Sequence, residues 1–124
     1  MLGAYPVNAM IPAQDLERAK DFYSLKLGLT PCDVMPGVLR YDCGDGTWFA
    51  LYLSEDAGGT EHTVASWTVE NLEAEVRALR ETGIVFDNDD FNEPTPSAIG
   101  SLSPPMAAWF KDSEGNTLGL VQAP

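Results

Sequence analysis

The chain has 124 residues, 44% hydrophobic and 21% charged, an ordinary balance for one folded domain that buries a core without staples. Seven Lys and Arg stand against 19 Asp and Glu, a formal charge of -12 that would repel a phosphate backbone and argues against nucleic acid as a partner. No stretch approaches a membrane span, the opening MLGAYPVNAMIPAQD lacks the order of a secretory leader, and Cys32 and Cys43 make neither a disulfide framework nor a zinc spacing. A cytoplasmic protein without a membrane partner is expected.

In chain order, the alternating run YPVNAMIPA leads into DLERAKDFYSLKLG, where Asp15 caps a helix with Leu16, Ala19, Phe22 and Tyr23 on its apolar face and Gly28 at its end. LTPCDVMPG holds a short strand between turns, and VLRYDCGDGTWFALYLS reads as two strands around a GDG turn. After the acidic stretch SEDAGGTE, the segment EHTVASWTV is strand-like. NLEAEVRALRETG is a helix capped by Asn71, with Leu72, Val76 and Leu79 as its stripe and Gly83 as its stop. IVFDND is read as a short strand, and MAAWFKDSEGNTLGLVQ as a hairpin turning at SEGN.

The halves superpose on paper. Asp15-Leu16-Glu17 matches Asn71-Leu72-Glu73, and GDGTWFALYL lies over SEGNTLGLV with Gly46 on Gly115. This predicts one α+β domain of two βαβββ modules, residues 1–54 and 61–124, joined by an acidic linker at 55–60. The loop 88–105 has no counterpart in the first module; it is long for a compact domain and is read as a mobile segment, with a lid as the alternative.

Alternation assigns two faces to each strand. Val7, Ala9, Ile11 and Ala13 are expected to face the first helix, leaving Asn8, Met10 and Pro12 opposite. Phe49, Leu51 and Leu53 oppose Trp48, Ala50 and Tyr52; Ala65, Trp67 and Val69 oppose His62, Val64 and Ser66; Leu118 and Leu120 oppose Thr117, Gly119 and Val121. A βαβββ sheet carries its helix on one side, so the second faces need a cover, and a cleft between the modules or a second subunit supplies one. A candidate binding surface follows: Trp48 and Tyr52 as flat walls, Met10 as filler, and Asn8, His62, Ser66 and Thr117 for orientation, near Ala50, Val64 and Gly119. Trp109 and Arg40 fall in the same region, on faces that the pattern does not settle.

IPAQDLERAKDFYSLKLGL, WTVENLEAEVRALRETGI and AAWFKDSEGNTLGLVQ resemble the characteristic segments of the vicinal oxygen chelate superfamily, the glyoxalase I, bleomycin-resistance and extradiol-dioxygenase group. The resemblance implies a curved mixed sheet around a cleft and a homodimer, with exchange of modules between chains as an option. For active members it also implies one divalent metal, held by His, Gln or Glu near the starts of strands one and five and midway along strands four and eight. Counting from the matched motifs puts Asn8, Val64, Ala50 and Gly119 at those positions. Such a metal needs carboxylate, imidazole or thiolate donors at about 2.0–2.6 Å. Val64, Ala50 and Gly119 have none and Asn8 only an amide oxygen, so the expectation is no metal, no cofactor and no assigned catalytic residue.

His62, the sole histidine, is read as a rim or surface residue, with a ligand or general base as the sharper alternative. Cys43 has no base that the sequence pairs with it. The first functional expectation is a metal-free protein that binds or sequesters a small organic molecule, cationic or aromatic, in the manner of bleomycin-resistance proteins. The alternatives are a metal-dependent lyase, isomerase or dioxygenase built on His62, Asn8 and acidic residues of 54–61 or 87–93, and an interaction module without a pocket.

Overall fold

The computed structural model describes residues 1–59, 61–88 and 106–123. Both expected caps form. The Asp15 carboxylate accepts the Arg18 amide at 3.0 Å and starts α1 (Leu16–Leu25); the Asn71 side chain accepts the Ala74 amide at 3.1 Å and starts α2 (Leu72–Glu81). Gly28 at φ 73° and Gly83 at φ 102° take the left-handed conformation that stops each helix.

The first module contributes β1 (Ala9–Ala13), β2 (Asp33–Met35), β3 (Val38–Asp42) and β4 (Trp48–Leu53), in the sheet order β1-β4-β3-β2 with β1 parallel to β4. The second contributes β5 (Thr63–Val69), β6 (Ala107–Lys111) and β7 (Thr117–Gln122), in the order β5-β7-β6 with β5 parallel to β7. Edge strands β1 and β5 approach each other across the module boundary, with the two sheets remaining separate. The segment IVFDND is reduced to one bridge, Phe86 to Phe110. Next to it the Asn88 side chain replaces a backbone pairing, donating to the Ala107 carbonyl and accepting the Trp109 amide, both at 2.9 Å. Apart from Asn88, the 88–105 loop lies outside the described residues.

One core runs through both modules. Ile11, Tyr23, Tyr41, Phe49 and Leu51 join Leu72, Val76, Phe110, Leu118 and Leu120 in a single cluster. Tyr41 stacks on Phe49 at 5.0 Å, and Phe49 meets the Trp67 ring edge-on at 5.8 Å, which couples the first sheet to β5. Two residues depart from the expected face. β1 begins only at Ala9, so Val7 has no strand partner and is 93% exposed; Leu53, the terminal residue of β4, is 59% exposed.

The modules are locked by the β6–β7 turn. Asp112 Oδ1 accepts the amides of Glu114 and Asn116, and Gly115 at φ 84° closes the turn. The Glu114 carboxylate then reaches α1, accepting the Asp15 amide at 2.8 Å and Arg18 Nε and Nη2 at 2.7 and 3.0 Å. Tyr23 Oη donates to Asp112 Oδ2 at 2.7 Å, and Asn116 Nδ2 to the Pro12 carbonyl at 2.8 Å. Gly58 of the linker donates to Asn116 Oδ1, and a Cβ there would overlap the Glu114 carbonyl oxygen, so the linker crosses the turn at glycine of necessity.

Hydrogen bonding to Arg18, opposed by burial and helped by the Asp15 amide, holds the Glu114 carboxyl at about 2 against an ordinary 4.5. A depressed carboxyl stabilises the fold above its unfolded pKa and loses that contribution as pH falls through the folded value. The stability difference between wild type and Glu114→Gln is therefore expected to be constant above about pH 5 and to shrink towards pH 2. Chemical denaturation across that range measures it, and a difference independent of pH would contradict the pairing. Asn116→Ala, which leaves buried partners unsatisfied, should cost about 3 kcal/mol in the same measurement at pH 7.

Candidate functional site

Strand register fixes which side chains share the sheet face opposite the helices. Met10 pairs with Ala50, Ala50 with Arg40, and Arg40 with Asp33, so these lie in one row across β1, β4, β3 and β2. Trp48 and Tyr52 flank Ala50 on the same face by alternation. Met10 is 51% exposed, Trp48 and Tyr52 are half-buried, and Ala50 is buried between its row neighbours.

Arg40, whose face the sequence left open, belongs to this surface and organises it. Its guanidinium lies over the Trp48 ring, 4.5 Å from the centroid, and is held by Asp42, with Nε and Nη2 at 3.2 and 3.1 Å from Oδ1. The sequence pattern puts Trp48 and Arg40 in this region but not Asp42, although Arg40 and Asp42 stand two apart on one strand and so share a face. The site in the first module is thus an aromatic wall stiffened by a paired cation.

In the second module Ser66 pairs with Gly119 and Gly119 with Trp109, a row equivalent to Met10–Ala50–Arg40. A β-bulge separates Thr63 from Ala65, leaving Val64 as the extra residue without a partner on β7. The residues beside Gly119 are consequently Thr63 and Ser66, one of which alternation alone did not select. His62 precedes β5 and is exposed; Asn8 precedes β1 and is half-buried. Thr117 is buried, and its Oγ1 has no hydrogen-bond partner among the described residues.

Gly119 is not an opening. A Cβ built on it would stand 3.4 Å from Ser66 Cβ, Thr63 Cγ2 and Trp109 Cδ1, so neighbours already enclose the position. The four positions to which the resemblance assigns a metal therefore do not fit one. Ala50 is buried without a donor, Gly119 is walled in, Val64 carries none, and Asn8 brings a single amide. Among the described residues, no group of three His, Cys, Asp or Glu is arranged to hold an ion. Burial pushes the Cys43 thiol up, with a hydrogen bond from Trp67 opposing it, which reduces the nucleophilic thiolate. Among the described residues, recesses of about 210 and 410 Å³ lie off this face.

Two neighbouring sheets, each with a helix on one side and a row of small and aromatic residues on the other, define an α+β protein of paired modules, βαβββ in the first and βαββ among the described residues of the second, where the expected strand IVFDND is a single bridge. The family model for the Glyoxalase/Bleomycin resistance protein/Dioxygenase superfamily matches residues 6–120, and the chain belongs to that superfamily. No curated protein matches it significantly.

Among solved structures, a superfamily member from Sphaerobacter thermophilus DSM 20745 is 27% identical, with 96% of this chain and 97% of that one covered and a TM-score of 0.71. A glyoxalase/bleomycin resistance protein from Streptomyces sp. CB03234 is 26% identical, covering 94% and 100%, with a TM-score of 0.66. TnmS3, an antibiotic binding protein from the same Streptomyces strain, is 24% identical over 98% of both chains with a TM-score of 0.72, and attests the shared fold.

The walled position makes a graded prediction. Gly119→Ala should fold with stability within about 0.5 kcal/mol of wild type, since the added methyl meets ordinary contacts and the strand loses a flexible residue. Gly119→Leu has nowhere to go without displacing Trp109 and is expected to lose about 1–3 kcal/mol. Melting curves of the two variants decide it; a tolerated leucine would mean that the face is open at this point.

Proposed function

We propose that the protein binds a small, partly aromatic organic molecule on the face carrying Met10, Trp48, Tyr52 and Arg40, without a metal and without catalysing a reaction. The observation that carries this reading is the Trp48 ring fixed by Arg40 beside a half-exposed Met10, a flat and polarisable surface on which a planar ligand stacks. Asp42 already neutralises Arg40, so the surface favours aromatic character over net charge. In the second module, the exposed Ser66 offers a hydroxyl that orients a ligand, with Trp109 as a further wall, whereas Thr117, expected on the binding surface, is buried and does not reach it. The description of TnmS3 as an antibiotic binding protein agrees with such a role.

In this reading residues 1–54 and 61–124 act as one unit. The protein works as a homodimer in the cytoplasm, where Cys32 and Cys43, both free, stay reduced. Exposed Met10, Val34, Met35 and Leu53 on the first module support a second copy as cover. Among the described residues, no helix is long and apolar enough to cross a membrane.

A panel of polycyclic aromatic compounds screened by thermal shift, with calorimetry on the hits, tests the reading. A binder should raise Tm saturably, Trp48→Ala should weaken it by about tenfold, and divalent metals should leave Tm unchanged. Thr117→Val is expected to keep or slightly raise stability and to leave ligand affinity unchanged, because the hydroxyl is buried and has no partner among the described residues. Hits indifferent to Trp48→Ala, or stoichiometric metal uptake, would end the assignment.

A further inference from the structure

On the helix side of the sheets, away from the Trp48 surface, a recess of about 210 Å³ opens between the two modules. Leu27 and Leu29, just past the end of α1, meet Leu79 of α2 and the β5 residues Trp67 and Val69 there; Glu75 lines the recess as its one ionisable side chain. Trp67 pairs with Leu120, which puts it on the sheet face opposite Ser66 and Gly119.

Among the described residues, the lining of this recess carries one carboxylate and no cation. Glu75 is exposed and forms no ion pair among the described residues. Lys26, a nearby cation, points its Nζ to the Phe22 ring, 6.0 Å from the centroid, and against Gly83 and makes no ion pair with Glu75. The C-terminal ends of α1 and α2 meet at the same place, where Thr82 Oγ1 donates to the Lys26 carbonyl at 2.9 Å, and helix C-termini carry partial negative charge. The chain as a whole carries a formal charge of -12. An apolar hollow lined by one carboxylate, without an ion pair among the described residues, matches one ligand class: a compact hydrophobic body bearing an ammonium group.

We propose that this recess is a second binding site, for a small hydrophobic ammonium ion, with a ring or branched chain against Leu27, Val69 and Leu79 and the ammonium paired with Glu75. Its volume is below the roughly 300–1,000 Å³ of drug-sized pockets, which limits the apolar part to about one ring. Hydrophobic burial holds the body, and the charge-assisted hydrogen bond to Glu75 selects a cation over a neutral analogue of the same shape. The site is independent of the Trp48 surface, since the two lie on opposite faces of the sheets.

The full chain titrated with benzylammonium chloride and followed by NMR tests this. Saturable shifts are expected at the methyls of Leu27, Val69 and Leu79 and at the Trp67 indole. Benzyl alcohol, the neutral analogue, should bind about tenfold more weakly, and Glu75→Gln should lower benzylammonium affinity about tenfold, the loss that one charge-assisted contact accounts for. Glu73→Gln, at an exposed carboxylate of α2 outside the recess, should leave the affinity unchanged, and Leu79→Trp should abolish binding by filling the space. Trp48→Ala should have no effect. Non-saturating shifts, shifts centred on Trp48 and Tyr52, equal losses in Glu75→Gln and Glu73→Gln, or unchanged affinity in Glu75→Gln would each overturn the proposal.

Discussion

Glu114 and its neighbours in the β6–β7 turn are the constraint on which the arrangement of the two modules rests. Asp112, Glu114 and Asn116 are all buried, and burying two carboxyl groups and an amide is costly unless each oxygen and N–H finds a partner. Each does so by crossing to the other half of the chain or closing its own turn: Asp112 to Tyr23, Glu114 to Asp15 and Arg18, Asn116 to Pro12 and Gly58. In a local capping box the residue three past the cap returns to the cap amide. Here that residue is Arg18, and the carboxylate on the Asp15 amide comes from a turn 99 residues away. A start signal for α1 is thereby also the joint between modules, and rotation of one module on the other would leave several buried polar groups without partners at once.

That joint breaks the symmetry of the repeat. The corresponding turn of the first module, Gly44–Gly46, is exposed and carries Asp45 at φ 55° without a partner helix to dock on. Two similar modules thus serve different ends, the second turn holding the fold and the first leaving its sheet free. The same asymmetry appears on the faces opposite the helices. In the first module Met10, Trp48 and Tyr52 remain partly accessible, whereas in the second Thr117 and Gly119 are buried, Gly119 against Trp109. The first module thus presents an accessible aromatic surface where the second presents a packed row.

What the sequence made legible follows the range of the interactions. Asp15 and Asn71 caps, the Gly28 and Gly83 stops, and both hairpin turns are decided within a few residues, and all of them form. The repeat was equally visible, because matched caps and turns recur in order. The Glu114 joint was not, since nothing local distinguishes an acidic turn residue that reaches a distant helix from one that faces water. The β5 bulge defeated face assignment for a related reason: a single extra residue reverses the alternation that period-two reasoning assumes, and Thr63 joins the Gly119 surroundings in place of Val64. Short IVFDND failed as a strand because Asn88 meets two of its ladder bonds with a side chain.

Gly119 links these points. In sequence it reads as a metal position without a donor, and in the fold the position is already surrounded: Trp109, Ser66 and Thr63 approach to where a side chain would begin. Together with Ala50, a residue too small to carry a donor and buried between Met10 and Arg40, it turns two positions that a metal would need into close packing. The large side chains beside them then define the surface. Arg40 reaches Trp48 across the strand, and Trp109 stands over Gly119. Where the family pattern would set donor side chains, this chain sets small residues, and the aromatic rings beside them make up most of the surface on that face.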